Sequence, residues 1–178
     1  MKWFIKCFKQ YADFEGRARR REYWWFWLVY LIISMILMIG WLVPMAKMAV
    51  ASSSADELDE MEVYNSMLDN LANPFLLVWL LFYLATLVPG IAVSVRRLHD
   101  IGKSGWWYFL PLGASMLNSI AELLGESRLG LTLILMLISM GVGILFLAWM
   151  FTDSQPGENR WGANPKETTL PPNIDKQQ

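Results

Sequence analysis

Leu129–Thr152 (LGLTLILMLISMGVGILFLAWMFT) runs for 24 residues without one charged side chain. A bilayer core about 30 Å thick is crossed by roughly 20 apolar residues in a helix, within a range of about 17–25. The stretch reads as a membrane span, and three more uncharged windows precede it. Tyr23–Ala46, Asn70–Val95 and Ser104–Ala121 hold 24, 26 and 18 residues. The first two meet the length requirement comfortably. The third is marginal and contains Pro111 and Gly113, which predict a kinked, tilted or partly re-entrant helix.

Composition agrees. Hydrophobic residues make up 55% of the 178 and charged residues 17%, with a mean hydropathy of +0.33. A soluble chain of about 150 residues buries only about 68–70% of its unfolded surface. That is too little to hide ten Trp, eleven Met and nine Phe, so the solvent is lipid. The expected fold is all-α and polytopic. Four transmembrane helices, at about 23–46, 72–95, 104–121 and 129–152, follow an N-terminal amphipathic interfacial helix. The organisation is a cytoplasmic basic segment 1–22, a four-helix membrane domain 23–152 with an outer loop 47–71, and a cytoplasmic tail 153–178, disordered after about 166.

The fifteen Lys and Arg set the orientation. Seven precede the first span (Lys2, Lys6, Lys9, Arg17, Arg19, Arg20, Arg21). Three join the second span to the third (Arg96, Arg97, Lys103), and three follow the fourth (Arg160, Lys166, Lys176). The remaining loops hold only Lys47 and Arg128. Thirteen against two, alternating as four spans require, places both termini in the cytoplasm. A secretory signal peptide fits the first span less well, because a signal core is about 7–15 residues. Here about twenty-two residues precede a core longer than that.

Outside the spans, Trp3, Phe4, Cys7, Phe8, Tyr11 and Phe14 recur at helical spacing. They describe an amphipathic helix lying in the interface or packed on the protein's own cytoplasmic surface. In the outer loop, Ser54-Ala55-Asp56-Glu57 matches a capping box, and Met61, Tyr64, Leu68 and Leu71 predict a short amphipathic helix over about 55–71. The acidic run around Asp56–Glu62 lacks the glycine of a calcium-binding loop and reads as a solvated face. One cysteine and one histidine exclude a disulfide framework, multi-Cys metal sites and paired-imidazole metal sites. No metal or cofactor is expected.

Three polar clusters fall on the expected cytoplasmic face. Phe14–Trp24 (FEGRARRREYW) opens the first span, Arg96–Trp107 (RRLHDIGKSGWW) joins the second to the third, and Asp153–Pro165 (DSQPGENRWGANP) follows the fourth. Together these clusters resemble the bacterial inner-membrane family catalogued as domain of unknown function 805. Its marks are G-R-x-R-R-x-E-Y/F-W, R-R-L-H-D-x-x-x-S-x-W-W and P-G-x-N-x-F/W-G-x-x-P, and all three stand here in order. The resemblance covers about 1–46 and 74–166. It implies a small polytopic plasma-membrane protein and brings no activity with it. It also implies three spans for shorter relatives, so the residues around 113–130, which complete a third-and-fourth hairpin, are where this chain departs.

Arg17, Arg19, Arg20, Arg96, Arg97 and Arg160 are expected to converge in the headgroup layer, where guanidinium forks suit phosphate and carboxylate. Glu22 and Asp100 are their natural internal partners, and His99 and Asn159 complete the cluster. One reading is structural: the cluster sets topology and ties helix ends together. The sharper reading is a pocket for anionic lipid headgroups, an anionic metabolite or an acidic partner. His99-Asp100 evokes a metal phosphohydrolase, but no second histidine exists. Gly102-Lys103-Ser104 resembles the end of a phosphate-binding loop, yet the earlier glycine such a loop needs is here Arg97. The four windows carry no Asp, Glu, Lys, Arg or His, which argues against an ion-coupled transporter acting alone. Pro89-Gly90 and Gly141-x-Gly143 offer kinks and close helix approach. The expected function is a non-enzymatic membrane scaffold or accessory protein that binds anionic lipid, a membrane-protein partner or a second copy of itself, with no role for nucleic acid. The other class is an oligomeric small-solute transporter or channel.

Overall fold

The computed structural model describes residues 2–53, 60–123 and 129–167. Six α-helices and one 3₁₀ turn run in order: α1 (Lys2–Lys9), α2 (Arg20–Ser53), α3 (Glu60–Leu71), α4 (Pro74–Asp100), the 3₁₀ turn (Gly105–Tyr108), α5 (Phe109–Leu123) and α6 (Leu129–Phe151). No strand occurs among the described residues; the nearest thing is one isolated bridge between Asn159 and Gly162. The all-helical expectation holds. Among the described residues, three segments are long and apolar enough to cross a membrane: Arg20–Ala46, Leu68–Asp100 and Gly130–Phe151. In the last, none of the most apolar window is buried within the protein. Such a surface is unfavourable in water by about 25 cal/mol per Å², so lipid covers it.

The expected third span takes a different form. Its first residues, Ser104–Tyr108, are spent on the 3₁₀ turn rather than on helix, which leaves α5 only 15 residues long. At 1.5 Å per residue this is about 22 Å, short of the roughly 30 Å hydrocarbon core. Pro111 kinks nothing. It lies in the first turn of α5, where the missing amide has no intrahelical partner to lose. Proline does stand inside α2 (Pro44) and α4 (Pro89). Helix α2 also runs to Ser53, through residues expected to be loop, and α1 stops at Lys9, so Tyr11 and Phe14 lie beyond it. The capping box at 54–57 and the far tail lie outside the described residues.

The chain forms two compact units, Met1–Trp25 with Pro89–Gln178, and Phe26–Val88. In the second unit, the parts of α2 and α4 that belong to it meet through aromatic rings. Tyr30 stacks on Phe82 at 5.6 Å and 16°. Gly40 faces Phe75, whose ring carbon lies 2.5 Å from where a Cβ would stand. The close helix approach expected at Gly141 and Gly143 falls here instead, for both of those glycines have open space around the missing Cβ.

In the first unit, α5 packs along α6. Asn118 Nδ2 donates to Ser139 Oγ (2.6 Å), and Ser139 Oγ donates back to the Ala114 carbonyl (3.1 Å). Side-chain hydrogen bonds of this kind join helices where lipid offers no competing donor. The rings of Trp107 and Trp149 meet edge to face at 5.5 Å, with Lys103 Nζ 4.2 Å from the centre of the Trp149 ring.

The end of α4 is closed by a Schellman motif. The Lys103 amide donates to the Leu98 carbonyl (2.9 Å) and the Gly102 amide to that of His99 (3.1 Å). Gly102 sits at φ +79°, and a Cβ there would stand 2.7 Å from Gln155 Oε1. The left-handed backbone strains any other residue here, whereas Gln155, reached at the end of a flexible side chain, could move aside. We expect Gly102→Ala to destabilise the protein by about 1–2 kcal/mol through its left-handed backbone alone, read as a lower midpoint of thermal unfolding in detergent. Gly141→Ala, in open space, should leave that midpoint unchanged.

Candidate functional site: a buried arginine clasp

Asp100 is the last residue of α4 and is fully buried. A carboxylate in that position must be paired, and here three donors converge on it. Arg17 Nε donates to Oδ1 at 3.0 Å, while Arg97 Nη1 (2.5 Å) and Ser154 Oγ (2.6 Å) donate to Oδ2. The Schellman turn aims the C-terminal end of α4 so that one carboxylate reaches both the N-terminal segment and the tail.

Arg17 is saturated. A guanidinium has five N–H donors, and besides Nε, its Nη1 donates to the carbonyls of Gly157 (2.7 Å) and Gly162 (3.2 Å). Its Nη2 donates to those of Gln155 (2.5 Å) and Asp100 (3.3 Å). All five acceptors are protein atoms from the exit of α4 and from the tail. The tail is shaped to present them. Asn159 and Gly162 exchange backbone bonds (3.1 and 2.9 Å), and Gly157 and Gly162 both hold positive φ.

Two further arginines cap α6. Arg97, wholly buried, donates from Nη2 to the Met150 and Thr152 carbonyls. Arg20 donates from Nη1 to the Phe151 carbonyl (3.2 Å), and its Nη2 pairs with Asp153 at 3.1 Å. These carbonyls end the helix without intrahelical partners, and cations suit the partial negative charge there. The exposed carboxyl of Asp153 is held below its usual range, first by the Lys166 ammonium and then by the Ser154 amide.

A second ion cluster joins α1 to the start of α2. Glu22 is buried and accepts from Lys6 Nζ at 2.8 Å, with Arg96 Nη1 3.6 Å from its other oxygen. Arg96 Nη1 also donates to Gln10 Oε1 at 2.5 Å. The Ala18 amide donates to the Arg96 carbonyl, so backbone as well as side chains tie the first segment to α4. Arg96 Nη2 and Arg97 Nε are buried without a hydrogen-bond partner. Cys7 packs beside this cluster with no exposed surface. Its burial shows that α1 is held against the protein along this face. Burial, and then the neighbouring Glu22 charge, pushes its thiol up to about 11.

His99 donates from Nδ1 to the Gly16 carbonyl (3.3 Å), and its ring stacks on Trp161 at 4.5 Å and 12°. Arg160 lies over Trp161, 3.8 Å from the ring centre. Asn159 Nδ2 donates to the His99 carbonyl at 2.9 Å. Nine of the ten residues singled out from the sequence thus take part in these contacts, all within one unit. The tenth, Arg19, is half-buried at the start of α2, where its carbonyl receives the Glu22 and Tyr23 amides. The sequence did not reveal the main-chain carbonyls of Gln155, Gly157 and Gly162, nor Ser154, Lys6 and Gln10. A carbonyl's direction has no signature in residue type; the glycine spacing of the third cluster was the only signal available.

An all-helical chain with three membrane-capable helices, ending in buried arginine-carboxylate pairs, is an integral membrane protein. It belongs to the family described as "Protein of unknown function (DUF805)", which it matches over residues 11–163. It is 26% identical to inner membrane protein YhaI of Escherichia coli (strain K12) over 170 residues, 93% of this chain and 97% of that one. It is 27% identical to inner membrane protein YhaH of the same strain over 172 residues, 93% and 98% of the two chains. With uncharacterized protein YiiR of that strain it shares 33% identity over 169 residues, 87% of each. No solved structure matches it.

The clasp predicts two outcomes. Asp100→Asn leaves two guanidiniums facing a neutral amide and should cost about 3 kcal/mol or more; a thermal midpoint within a degree of the native one would contradict this. Cys7 should resist alkylation in the native protein at pH 8 and react once it is unfolded in SDS. Because its thiol ionises near 11 when folded and near 9.0 when unfolded, this group's contribution is complete below pH 9 and is lost as pH rises toward 11. Equal alkaline stability of the native protein and Cys7→Ala would contradict that.

Proposed function

We propose that this protein is a non-enzymatic, four-span scaffold or accessory subunit of the inner membrane, with both termini in the cytoplasm and a clasp that orders its cytoplasmic face. The observation that carries the reading is the saturation of Arg17. All five of its donors are taken by the protein, and Arg97 is spent on Asp100 and α6. Arg17, buried and with five internal acceptors, holds helix ends and has no donor left to grip a phosphate. Anionic lipid instead meets the exposed basic side chains, Lys2, Lys9 and Arg21, each worth about 1 kcal/mol near an anionic leaflet.

Parity supports four spans. Arg17 precedes the first span, Asp100 ends the second, and Gln155 follows α6, yet all three hydrogen-bond together. Groups in contact lie on one side of the bilayer, so the chain between Asp100 and Gln155 must enter and return. The 23 residues of α6 are enough for one passage, and the shorter α5 makes the other, starting from the interface after the 3₁₀ turn. The positive-inside count assigns that side to the cytoplasm.

In a Cys7→Ser background, Tyr64→Cys and Leu123→Cys should be labelled from outside intact cells, and Lys103→Cys only after lysis. Labelling of Leu123→Cys only after lysis would remove the fourth span. Lipid carried through purification should be enriched in anionic species, and the enrichment should fall in Lys9→Ala/Arg21→Ala. No preference for anionic over zwitterionic lipid, with no co-purifying partner, would overturn the scaffold reading. So would solute flux in reconstituted vesicles, which belongs to a transporter.

A further inference from the structure

Beside the clasp, within the same unit, lies a cavity of 430 Å³ that none of the ion pairs uses. Its walls include Phe14, Val95, His99, Ser104, Trp106 and Phe109. The volume lies in the range of small-molecule sites, about 300–1,000 Å³. We propose that this cavity is a binding site for an uncharged aromatic amphiphile bearing a ring hydroxyl, the chemical class of membrane quinols and phenols.

Three observations select that class. The first is an acceptor with nothing to accept. His99 is nine-tenths buried, and its Nδ1 contacts the Gly16 carbonyl. A carbonyl only accepts, so Nδ1 carries the proton and Nε2 keeps a bare lone pair. Nε2 makes no hydrogen bond among the described residues. It lies 3.3 Å from the position a Cβ on Gly105 would take, and Gly105 is itself part of the cavity wall. A Cβ there would stand closer still, 2.6 Å, to Val95 Cγ1, so glycine lets the chain pack on Val95 and also leaves the space beside the lone pair unfilled. Stacking on Trp161 fixes the imidazole plane, so the acceptor points one way. The lone pair is open to the cavity that His99 lines, and a ligand hydroxyl entering there would donate to it.

The second is charge. No Asp, Glu, Lys or Arg lines the cavity. A phosphate or ammonium head would be desolvated with no counter-ion, at a heavy cost, while a hydroxyl needs only one acceptor. Ser104 Oγ, which caps no helix amide, stands ready for a second polar atom of the ligand. The third is shape. Phe14, Trp106 and Phe109 supply aromatic walls, the last two with ring centres 5.7 Å apart, and rings pack on rings in offset or tilted geometry. Trp106 is 80% exposed, far beyond what packing requires of an indole. It forms an outer lip at the level where interfacial tryptophans sit, which opens the cavity to molecules arriving through the lipid.

The proposal does not rest on the scaffold reading, and its test needs neither topology nor partner. Purified full-length protein in nanodiscs of zwitterionic lipid is titrated with a tritiated decyl-hydroquinone and, separately, with its dimethyl ether. Saturable binding of the hydroquinone is expected, with about tenfold weaker binding of the ether, the size of one lost hydrogen bond to a buried acceptor. Trp106→Ala, a surface change that leaves the fold intact, and His99→Phe, which keeps a ring against Trp161, should each weaken hydroquinone binding to a similar extent. Equal affinity for hydroquinone and ether overturns the proposal. So does hydroquinone binding indifferent to Trp106→Ala, or a site from which phospholipid displaces the ligand as well as unlabelled hydroquinone does.

Discussion

Two guanidiniums facing one buried carboxylate would be an unstable arrangement if nothing else entered it. Arg17 and Arg97 bring two positive charges to Asp100, which returns one negative charge. The rest comes from backbone. The C-terminal ends of α4 and α6 each present about half a negative charge, and both are turned toward these arginines: the Asp100 carbonyl toward Arg17, the Met150 and Thr152 carbonyls toward Arg97. Local charge therefore sums to roughly zero without any external anion. Removing one member strands the others, because a lone charge this deep has no water to turn to. The ends of α4 and α6, the segment before α2 and the tail are fixed by one shared balance.

The Glu22 cluster repeats the logic with different parts. Glu22 faces Lys6 and Arg96, Gln10 accepts from the same Arg96 nitrogen that faces Glu22, and the Cys7 thiol, kept neutral by burial, fills the adjoining space. Arg96 and Arg97 are neighbours in sequence but serve separate clusters. Successive residues on a helix point about 100° apart, so one turns toward α1 and the other toward α6. A pair of adjacent arginines, which in sequence reads as one basic patch, is in space two different joints.

Composition and periodicity were enough to read the all-helical membrane architecture, because lipid imposes its demand on every residue of a span independently of its neighbours. The Leu129–Thr152 stretch needed no tertiary information to be recognised. The window from Ser104 to Ala121, marginal in length and expected to bend at Pro111 and Gly113, instead begins with a 3₁₀ turn. Hydropathy records how apolar a residue is and not which hydrogen bond its backbone makes. The small-residue pair Gly141 and Gly143 suggested helix contact and has open space, whereas Gly40 meets Phe75. Small residues permit close approach; whether a partner arrives is decided by the other helix.

The charged residues divide along the same line. Which residues would gather was readable from sequence: three polar clusters, each at a membrane boundary, on one side by the positive-inside count. That follows from the cost of charge in hydrocarbon, a property of single side chains. What the gathered arginines hold was not readable. Arg17 is saturated by four main-chain carbonyls and one carboxylate, and the direction of a carbonyl exists only once the turns at Gly102, Gly157 and Gly162 are folded. His99 likewise offers its lone pair to a cavity only because Gly16 and Trp161 hold its ring. Placement of charge along the chain belongs to the sequence, since each residue meets the bilayer alone. The pairing of charge belongs to the tertiary structure, since it takes segments more than 80 residues apart to complete one hydrogen-bond shell.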